Sequence, residues 1–246
     1  MTTLYHFPRS LSSGAVQVVL ELEAPVTIRQ LGFKEGQFTC DDEAKLALPT
    51  GGMGLIGPVR SCPTYRETAE GGELTLVQCS AIMERLCDRF DEENRLRPPP
   101  GTPERARHLS LMVFAEATFF PIVQFLSPED SPNNNDREAM RRERFKGLVA
   151  PFLLDQLGDQ QYLCGDTVSA CDFITGMPCL NNAFNAGVLE DIPKLMAYYD
   201  RLRSRESFAE ARGDIEDEVL NGALGDMVAT AHQNRWDFTF RHPHER

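Results

Sequence analysis

The stretch TLYHFPRSLSSGAVQVVLELEAPVTIRQL, residues 3–31, decides the fold of the first part of this chain. Residues 3–7 form a short apolar run that predicts a strand, and residues 15–23 have the apolar spacing of a helix that ends near Pro25. Residues 26–31 alternate and contain β-branched side chains, which indicates a second strand. Strand, helix and strand in this order predict a βαβ unit with two parallel strands.

A second α/β group follows a long irregular segment. Residues 33–61 are rich in charges, glycine and proline, and they predict an insertion that is either a lid or a surface excursion. Strand-like runs at 62–65 and 74–77 flank a turn at 70–73, and residues 79–90 form an amphipathic helix. The first domain is therefore predicted to be βαβ followed by ββα.

A proline-rich linker and a helical region complete the chain. Residues 94–103 (NRLRPPPGTP) resist regular structure, so we predict one domain at 1–93 and a second at 104–246. The tail, with Trp236, Phe238 and Phe240, is either a flap, a dimer contact or a disordered end. The helices are predicted over residues 104–120, 136–157, 169–186, 192–205 and 207–224.

The composition of the chain disfavours several classes of function. The formal charge of −12 disfavours a nucleic-acid partner, because a polyanion would be repelled. No segment approaches the ~18 apolar residues of a membrane span, and no signal peptide is recognised, so we expect a soluble, cytoplasmic protein without a membrane partner. Seven cysteines without zinc-type spacing predict neither a disulfide framework nor a metal site.

Five motifs, in order along the chain, resemble those of the cytosolic glutathione transferases. The opening YHFPRSLSSGAVQVVLEL resembles the bacterial serine-type members of this superfamily. The resemblance implies a thioredoxin-like N-terminal domain that binds glutathione as co-substrate. It also implies an all-α C-terminal domain that binds a small hydrophobic electrophile, and assembly as a homodimer. The motifs lie at residues 5–22, 61–63 (SCP), 76–82 (LVQCSAI), 162–172 (YLCGDTVSACD) and 192–205 (IPKLMAYYDRLRSR).

Ser10 is the catalytic residue that the resemblance implies, with Ser12 and Ser13 as alternatives. Lowering a thiol pKa by two units requires about 2.7 kcal/mol of preference for the anion. One hydrogen bond to a charged acceptor supplies about 1.5–3 kcal/mol, so a single hydroxyl suffices. Each serine has a structural alternative as a helix N-cap. A tyrosine mechanism is disfavoured, because the family's phenol position falls on His6 rather than Tyr5.

The resemblance also assigns residues that bind glutathione. Gln78 and Cys79 open a helix whose N–H groups would bind the γ-glutamyl carboxylate, although Cys79 replaces the family's hydroxyl and is a poor donor. Cys62, before a cis Pro63, would pair with the peptide backbone of glutathione. Independently of the resemblance, an anion that binds an acidic chain requires local cations, and the basic residues nearest the motifs are Arg9, Arg60 and Arg66, with plain surface charge as the alternative for each. The alternatives are a buried Cys79 without a ligand and a Cys62 that acts as a second nucleophile.

The electrophile is expected beside the helix at 104–120. Leu111, Phe114, Ala115 and Thr118 share one face of that helix, where plain core packing is the alternative explanation. The predicted function is therefore conjugation of glutathione to a hydrophobic electrophile in detoxification. One alternative is another glutathione-dependent reaction, such as ether cleavage, dehalogenation, isomerisation, or peroxide or disulfide reduction. A noncatalytic binding protein is the other.

In the last helical region, Ser169 and Asp172 have the spacing of a capping box, and Val168 and Phe173 supply the accompanying apolar contact. This is a folding device. Replacing Asp172 with alanine is expected to cost about 0.5–2 kcal/mol of stability.

Overall fold

The computed structural model of the chain describes residues 1–34, 37–39, 62–69, 71–124, 126–129, 131 and 135–213. Residues 1–31 and 62–213 form one compact unit, and residues 32–61 and 214–246 group as a second. Most of the predicted insertion, the end of the last predicted helix and the tail with Trp236, Phe238 and Phe240 lie outside the described residues.

A four-stranded mixed sheet forms the first half of the larger unit. Strand β1 (Thr2–His6) runs parallel to β2 (Thr27–Gln30), and helix α1 (Ser12–Glu21) connects them. Strands β5 (Thr64–Ala69) and β6 (Gly72–Val77) are antiparallel and lead into α2 (Cys79–Phe90). The sheet order is β2-β1-β5-β6, with β1 and β5 antiparallel. The predicted βαβ-ββα arrangement of a thioredoxin-like domain is confirmed.

A short hairpin lies at the start of the predicted insertion. Strand β3 (Gly32–Lys34) pairs with β4 (Gln37–Thr39) in an antiparallel two-stranded sheet, with Phe33 opposite Phe38. The sequence analysis predicted irregular structure here. The charged residues and glycines of this segment make the short alternation of polar and apolar residues in these strands hard to recognise.

Sequence pattern placed the first four predicted helical regions of the second half correctly, to within a few residues. The fifth, predicted at 207–224, begins at Glu206 but ends at Arg212, before Gly213. The helices are α3 (Pro103–Phe114), α4 (Phe120–Val123), α5 (Asp136–Arg144), α6 (Ala150–Leu157), α7 (Ala170–Ile174), α8 (Asn181–Asn185), α9 (Pro193–Arg203) and α10 (Glu206–Arg212). Short π-helical turns join α3 to α4, α5 to α6 and α7 to α8, so each pair continues as one longer rod. The predicted all-α second half is confirmed.

Each π-helical turn coincides with a proline. Pro121 and Pro151 follow the turns Ala115–Phe119 and Phe145–Val149, and Pro178 lies inside the turn Thr175–Leu180. Proline has no N–H group, and its ring clashes with the carbonyl one turn back. A local π-helical widening allows the rod to continue past such a residue.

The rod Pro103–Val123 is long and apolar enough to cross a membrane by length and composition alone, which the sequence analysis did not expect. One face of this rod is packed into the core of the larger unit, as in the core helix of a helical bundle. The fully or almost fully buried side chains on that face are Leu111, Met112, Ala115, Phe119 and Val123.

Helix α1 lies at the centre of the larger unit and packs closely on α7. A Cβ atom at Gly14 would lie 3.1 Å from the Cα atom of Ile174, so a larger residue would require the backbones of α1 and α7 to separate by a few tenths of an ångström. Val18 of α1 belongs to the same buried core as Leu4 of β1 and Ile82 of α2. This packing fixes the position of the loop that precedes α1.

Asp172 forms the predicted capping box with Ser169 at the start of α7 and makes further contacts. Its carboxylate accepts hydrogen bonds from the backbone N–H groups of Ser169 (2.8 Å) and Leu163 (2.9 Å). The hydroxyl of Tyr198 on α9 donates to the same carboxylate at 2.6 Å. The capping residue therefore ties the preceding loop and a neighbouring helix to α7.

Candidate functional site

The loop between β1 and α1 carries the three candidate serines, and their burial separates them. Ser12 and Ser13 are fully buried, whereas Ser10 is only half-buried. The hydroxyl of Ser13 has no hydrogen-bond partner among the described residues. Ser10 is therefore the serine of this loop with surface available to a ligand.

The hydroxyls of Ser10 and Ser12 form one network with the backbone of Phe7. Both donate to the carbonyl oxygen of Phe7, at 2.7 and 2.9 Å respectively, and the two hydroxyl oxygens lie 2.7 Å apart. Ser10 Oγ also accepts from the N–H of Ser12 at 3.2 Å, as a hydroxyl at a helix start commonly does. Ser10 therefore helps to begin α1 while its oxygen stays accessible.

His6 supports Ser12 from the end of β1. Its Nδ1 atom lies 2.8 Å from Ser12 Oγ, which also accepts from the N–H of Phe7 at 3.1 Å. Burial lowers the pKa of His6 to about 4, so the ring is neutral at pH 7. Because a neutral imidazole can donate from Nδ1, this contact holds the ring without a buried charge.

Cys62 places a thiol of the chain itself against the serine loop. The Cys62-Pro63 bond is cis, which agrees with the expectation drawn from the motif. Burial raises the pKa of the Cys62 thiol to about 11, although the neighbouring Ser12 hydroxyl, Phe7 backbone and Ser10 hydroxyl act to lower it. The hydroxyls that the resemblance assigns to a glutathione sulfur therefore already contact a sulfur atom.

The first turn of α2 binds a carboxylate of the same chain. The backbone N–H of Cys79 donates to Glu116 Oε1 at 2.9 Å, and the N–H of Ser80 donates to Oε2 at 2.9 Å. Glu116 lies in the π-helical turn after α3. The free N–H groups at a helix N-terminus form an anion site, and this one is satisfied internally.

The side chains at the start of α2 differ in their surroundings. Gln78 is exposed and has a φ of 77°, a backbone conformation that residues with a Cβ atom adopt rarely. Cys79 is fully buried, and its thiol donates to the carbonyl of Leu11 at 2.9 Å. Burial, reinforced by the negative charge of Glu116, raises the pKa of Cys79 well above its usual value. Cys79 therefore links α2 to the serine loop as a neutral thiol.

Arg9 has a φ of 59° and is half-buried in the loop between Pro8 and Ser10. This position places its backbone beside the candidate catalytic serine. Its assignment to glutathione binding remains a prediction.

The four residues assigned to the electrophile pocket separate into two pairs. Leu111 and Ala115 are buried in the core, whereas Phe114 and Thr118 retain accessible surface. The ring of Phe114 packs on that of Phe152, with 4.2 Å between the ring centroids. Contact with an electrophile remains a prediction, and Phe114 and Thr118 are the better placed of the four.

A polar cleft of about 600 Å³ lies elsewhere in the larger unit, lined by residues of α1, α9 and α10. It contains the ion pair between Glu21 and Arg205, and the hydroxyl of Ser207 donates to the same carboxylate. The cleft lacks the serine loop and the start of α2, so we do not identify it with the candidate site.

Glu116 is the residue of this site that the sequence analysis missed. The only sequence feature that indicates Glu116 is its position as a single carboxylate in the apolar segment LMVFAEATFF, residues 111–120. Nothing local indicates its partner, because Glu116 and Cys79 are 37 positions apart.

Comparisons with known proteins concern the fold and the helical half of the chain. The sequence-family model described as glutathione S-transferase, C-terminal domain, matches residues 112–206. A search of curated proteins gives no match.

Among solved structures, a glutathione S-transferase from Actinobacillus pleuropneumoniae is 20% identical, with a TM-score of 0.66 over 86% of this chain and 91% of that chain. A sphingomonad glutathione S-transferase complexed with glutathione is 21% identical, with a TM-score of 0.66 over 85% and 96%. A theta-class enzyme from Xanthomonas axonopodis with glutathione bound is 21% identical, with a TM-score of 0.61 over 87% and 98%. The chain therefore has the fold of these glutathione S-transferases, and its residues 112–206 match the glutathione S-transferase C-terminal domain.

Proposed function

We propose that this chain is a glutathione transferase in which Ser10 stabilises the thiolate of glutathione. The thiolate attacks an electrophilic carbon of a hydrophobic substrate, a C–S bond forms, and the leaving group departs with its electron pair. The observation that carries the proposal is the half-buried Ser10 hydroxyl, which lies at the start of α1 next to the thiol of Cys62.

Three groups of the chain would hold the tripeptide. The backbone of Cys62, before the cis Pro63, would pair with the cysteinyl part of glutathione. The N–H groups of Cys79 and Ser80 would bind the γ-glutamyl carboxylate once Glu116 moves aside. Arg9 would supply positive charge in an acidic protein. The electrophile would bind beside Phe114 and Thr118.

The same proposal covers the location, the assembly and the domain boundaries of the protein. By analogy with the superfamily, the protein acts as a cytoplasmic homodimer in detoxification, with domains at residues 1–93 and 104–246 joined by the linker at 94–103. One hydrogen bond from Ser10 to the thiolate would supply about 1.5–3 kcal/mol.

Retention on immobilised glutathione and turnover of a generic aryl halide test this function. Ser10→Ala is expected to keep glutathione binding and to lose about tenfold to 100-fold in turnover, the equivalent of one hydrogen bond to the thiolate. Ser204→Ala, an exposed serine at the end of α9, is the matched control and should behave like the wild type. A wild-type chain that neither binds glutathione nor turns over the halide would contradict the proposal.

A second candidate is a noncatalytic binding protein that kept the fold. It is supported by Glu116 and Cys62, which fill the carboxylate and sulfur positions with groups of the chain itself. Under this alternative, wild type and Glu116→Ala both lack turnover, while a hydrophobic ligand binds independently of glutathione.

A thiol reaction on the same scaffold is a third candidate, supported by the position of Cys62. Its thiol would exchange with glutathione disulfide or react with a peroxide, and product analysis distinguishes these outcomes from conjugation.

A further inference from the structure

Three metal-ligating side chains converge in the helical half, far along the sequence from the serine loop. They are His108 on α3, Cys164 in the loop after α6, and Cys171 on α7. Their ligand atoms all lie within 4.8 Å of one another. The function proposed above uses none of them.

We propose that His108, Cys164 and Cys171, whose ligand atoms converge between α3 and α7, bind one thiophilic divalent cation, with zinc as the expected metal. A tetrahedral zinc ion with Zn–S bonds of about 2.3 Å and Zn–N bonds of about 2.0–2.1 Å separates its ligand atoms by about 3.5–3.8 Å. The observed separations are 3.5 Å between Cys164 Sγ and Cys171 Sγ and 3.9 Å between Cys164 Sγ and His108 Nδ1. Small side-chain adjustments would complete the geometry.

The second nitrogen of the histidine faces a carboxylate but makes no hydrogen bond to it among the described residues. His108 Nε2 lies 3.4 Å from Glu84 Oε1 on α2. Metal-binding histidines usually donate their other N–H to a carboxylate, which fixes the tautomer and makes the ring a better ligand. Glu84 is itself held by Arg97 and Arg105. The carboxylate would therefore orient His108 toward the two sulfur atoms.

Burial leaves one side of the cluster open. His108 and Cys171 are fully buried, whereas Cys164 is half-buried. Metal ions would enter on the side of Cys164, and a water molecule would take the fourth position there. Binding releases the thiol protons of both cysteines. The hydroxyl of Ser169 donates to Asp172 Oδ2 at 2.8 Å and lies 3.2 Å from Cys171 Sγ, so it would have to rotate to hydrogen-bond the resulting thiolate.

Cys171 also departs from the motif that surrounds it. The segment YLCGDTVSACD resembles the superfamily motif Gly-x-x-x-Ser/Thr-x-Ala-Asp, in which alanine takes the position of Cys171. Alanine would fit this buried position, so the helix start does not require a thiol there. Cys171→Ala is accordingly a conservative test of the metal site.

The full chain, reduced and treated with a chelator, is titrated with Zn²⁺ and separately with Co²⁺. One equivalent of Co²⁺ should give a cobalt–thiolate charge-transfer band with the intensity of two thiolates. Saturation with Zn²⁺ at about 100 times its Kd should raise the thermal midpoint by about 5–10 °C.

Variants identify the ligands. Cys171→Ala and Cys164→Ser should each reduce the band to one thiolate and weaken Zn²⁺ binding by at least about 100-fold. Glu84→Gln should keep the two-thiolate band and weaken binding by about 10–100-fold, as loss of an outer partner does. Cys179→Ala, a buried cysteine outside the cluster, is the control and should bind like the wild type.

Three results would overturn the proposal. The first is absence of the cobalt–thiolate band in the reduced wild type. The second is a band that persists in the double variant Cys164→Ser with Cys171→Ala. The third is a Cys164–Cys171 disulfide in a protein whose reduced form has no affinity for Zn²⁺. The readouts do not use glutathione, so this proposal can fail while the proposed function holds, and the reverse is equally possible.

Discussion

Two pairs of cysteines in this chain differ in what surrounds their sulfur atoms. Cys62 and Cys79 lie beside the serine loop, where burial raises the pKa of Cys62 to about 11 despite two neighbouring hydroxyls. Cys164 lies beside Cys171 and His108. Hydrogen bonds from Cys171 and His108 lower the pKa of Cys164, although burial opposes the shift.

The comparison shows that the hydroxyls beside Cys62 do not offset the burial of its thiol, whereas hydrogen bonds from the Cys171 thiol and then from His108 do so for Cys164. Burial lowers the pKa of His108, but its contacts with Cys164 and Glu84 outweigh this and raise it. At the serine loop His6 is held neutral and supplies no positive charge. A glutathione thiolate at Ser10 would therefore need exposure to solvent or further cations, for which Arg9 is the candidate.

Asp172→Ala is expected to have the largest effect, because this carboxylate positions the loop that carries Cys164. Removing it leaves the buried N–H groups of Ser169 and Leu163 and the hydroxyl of Tyr198 without their acceptor. The loss of stability should be at least about 3 kcal/mol, more than the cap alone would give. Urea unfolding measures it. Asp166→Ala, exposed in the same loop, should change stability by less than about 0.5 kcal/mol.

A pH titration of stability tests the neutral state of His6 beside the serines. The folded pKa of about 4 lies below the unfolded value of about 6.5, so the unfolded chain takes up the proton first as pH falls. This contribution, about 3 kcal/mol, is complete above pH 6.5 and is lost as pH falls through 4. His6→Gln should lack this loss. Equal slopes for both proteins between pH 6.5 and 4 would show that His6 is accessible to protons.

Glu116→Ala tests the internal carboxylate at α2. Without Glu116, the N–H groups of Cys79 and Ser80 become available to glutathione, so its affinity should rise by about tenfold to 100-fold. Calorimetric titration with glutathione measures the change. Glu104→Ala removes the same charge from the exposed start of α3 and should leave the affinity nearly unchanged. Weaker binding in Glu116→Ala would mean that Glu116 contacts glutathione instead of competing with it.

Alkylation rates give the smallest effect and compare the two sulfur sites directly. In metal-free protein at pH 7, Cys164 should react with iodoacetamide at least about tenfold faster than Cys62, because only about one Cys62 in 10⁴ is ionised at a pKa of about 11. Peptide mapping assigns the modified residues. Cys164→Ser should remove the fast phase and Cys62→Ala should retain it; a fast phase that survives in Cys164→Ser contradicts the comparison.

Local pattern was sufficient to predict most of the fold. The β1-α1-β2 unit and the helices follow from side-chain periodicity, proline positions and the capping residues Ser169 and Asp172, all of which act over a few residues. The sequence analysis did not predict hairpin β3-β4, because each of its strands has three residues, too few for an alternation of polar and apolar residues to be recognised.

Sequence patterns predicted only part of the candidate site. The motifs located Ser10, Cys62 and Cys79, but burial alone distinguishes Ser10 from Ser12 and Ser13, and burial depends on how α1 packs against α7. The occupied start of α2 required Glu116 from a different helix.

The sequence by itself determined the order of strands and helices, the serine loop and the resemblance to the glutathione transferases, because these are encoded in neighbouring residues. Tertiary packing decided which groups meet across the chain: Glu116 with Cys79 over 37 positions, and His108 with Cys164 over 56. The physical reason is that hydrogen bonds and metal coordination act over a few ångströms, while the pairing of distant segments is set by the burial of the core between them.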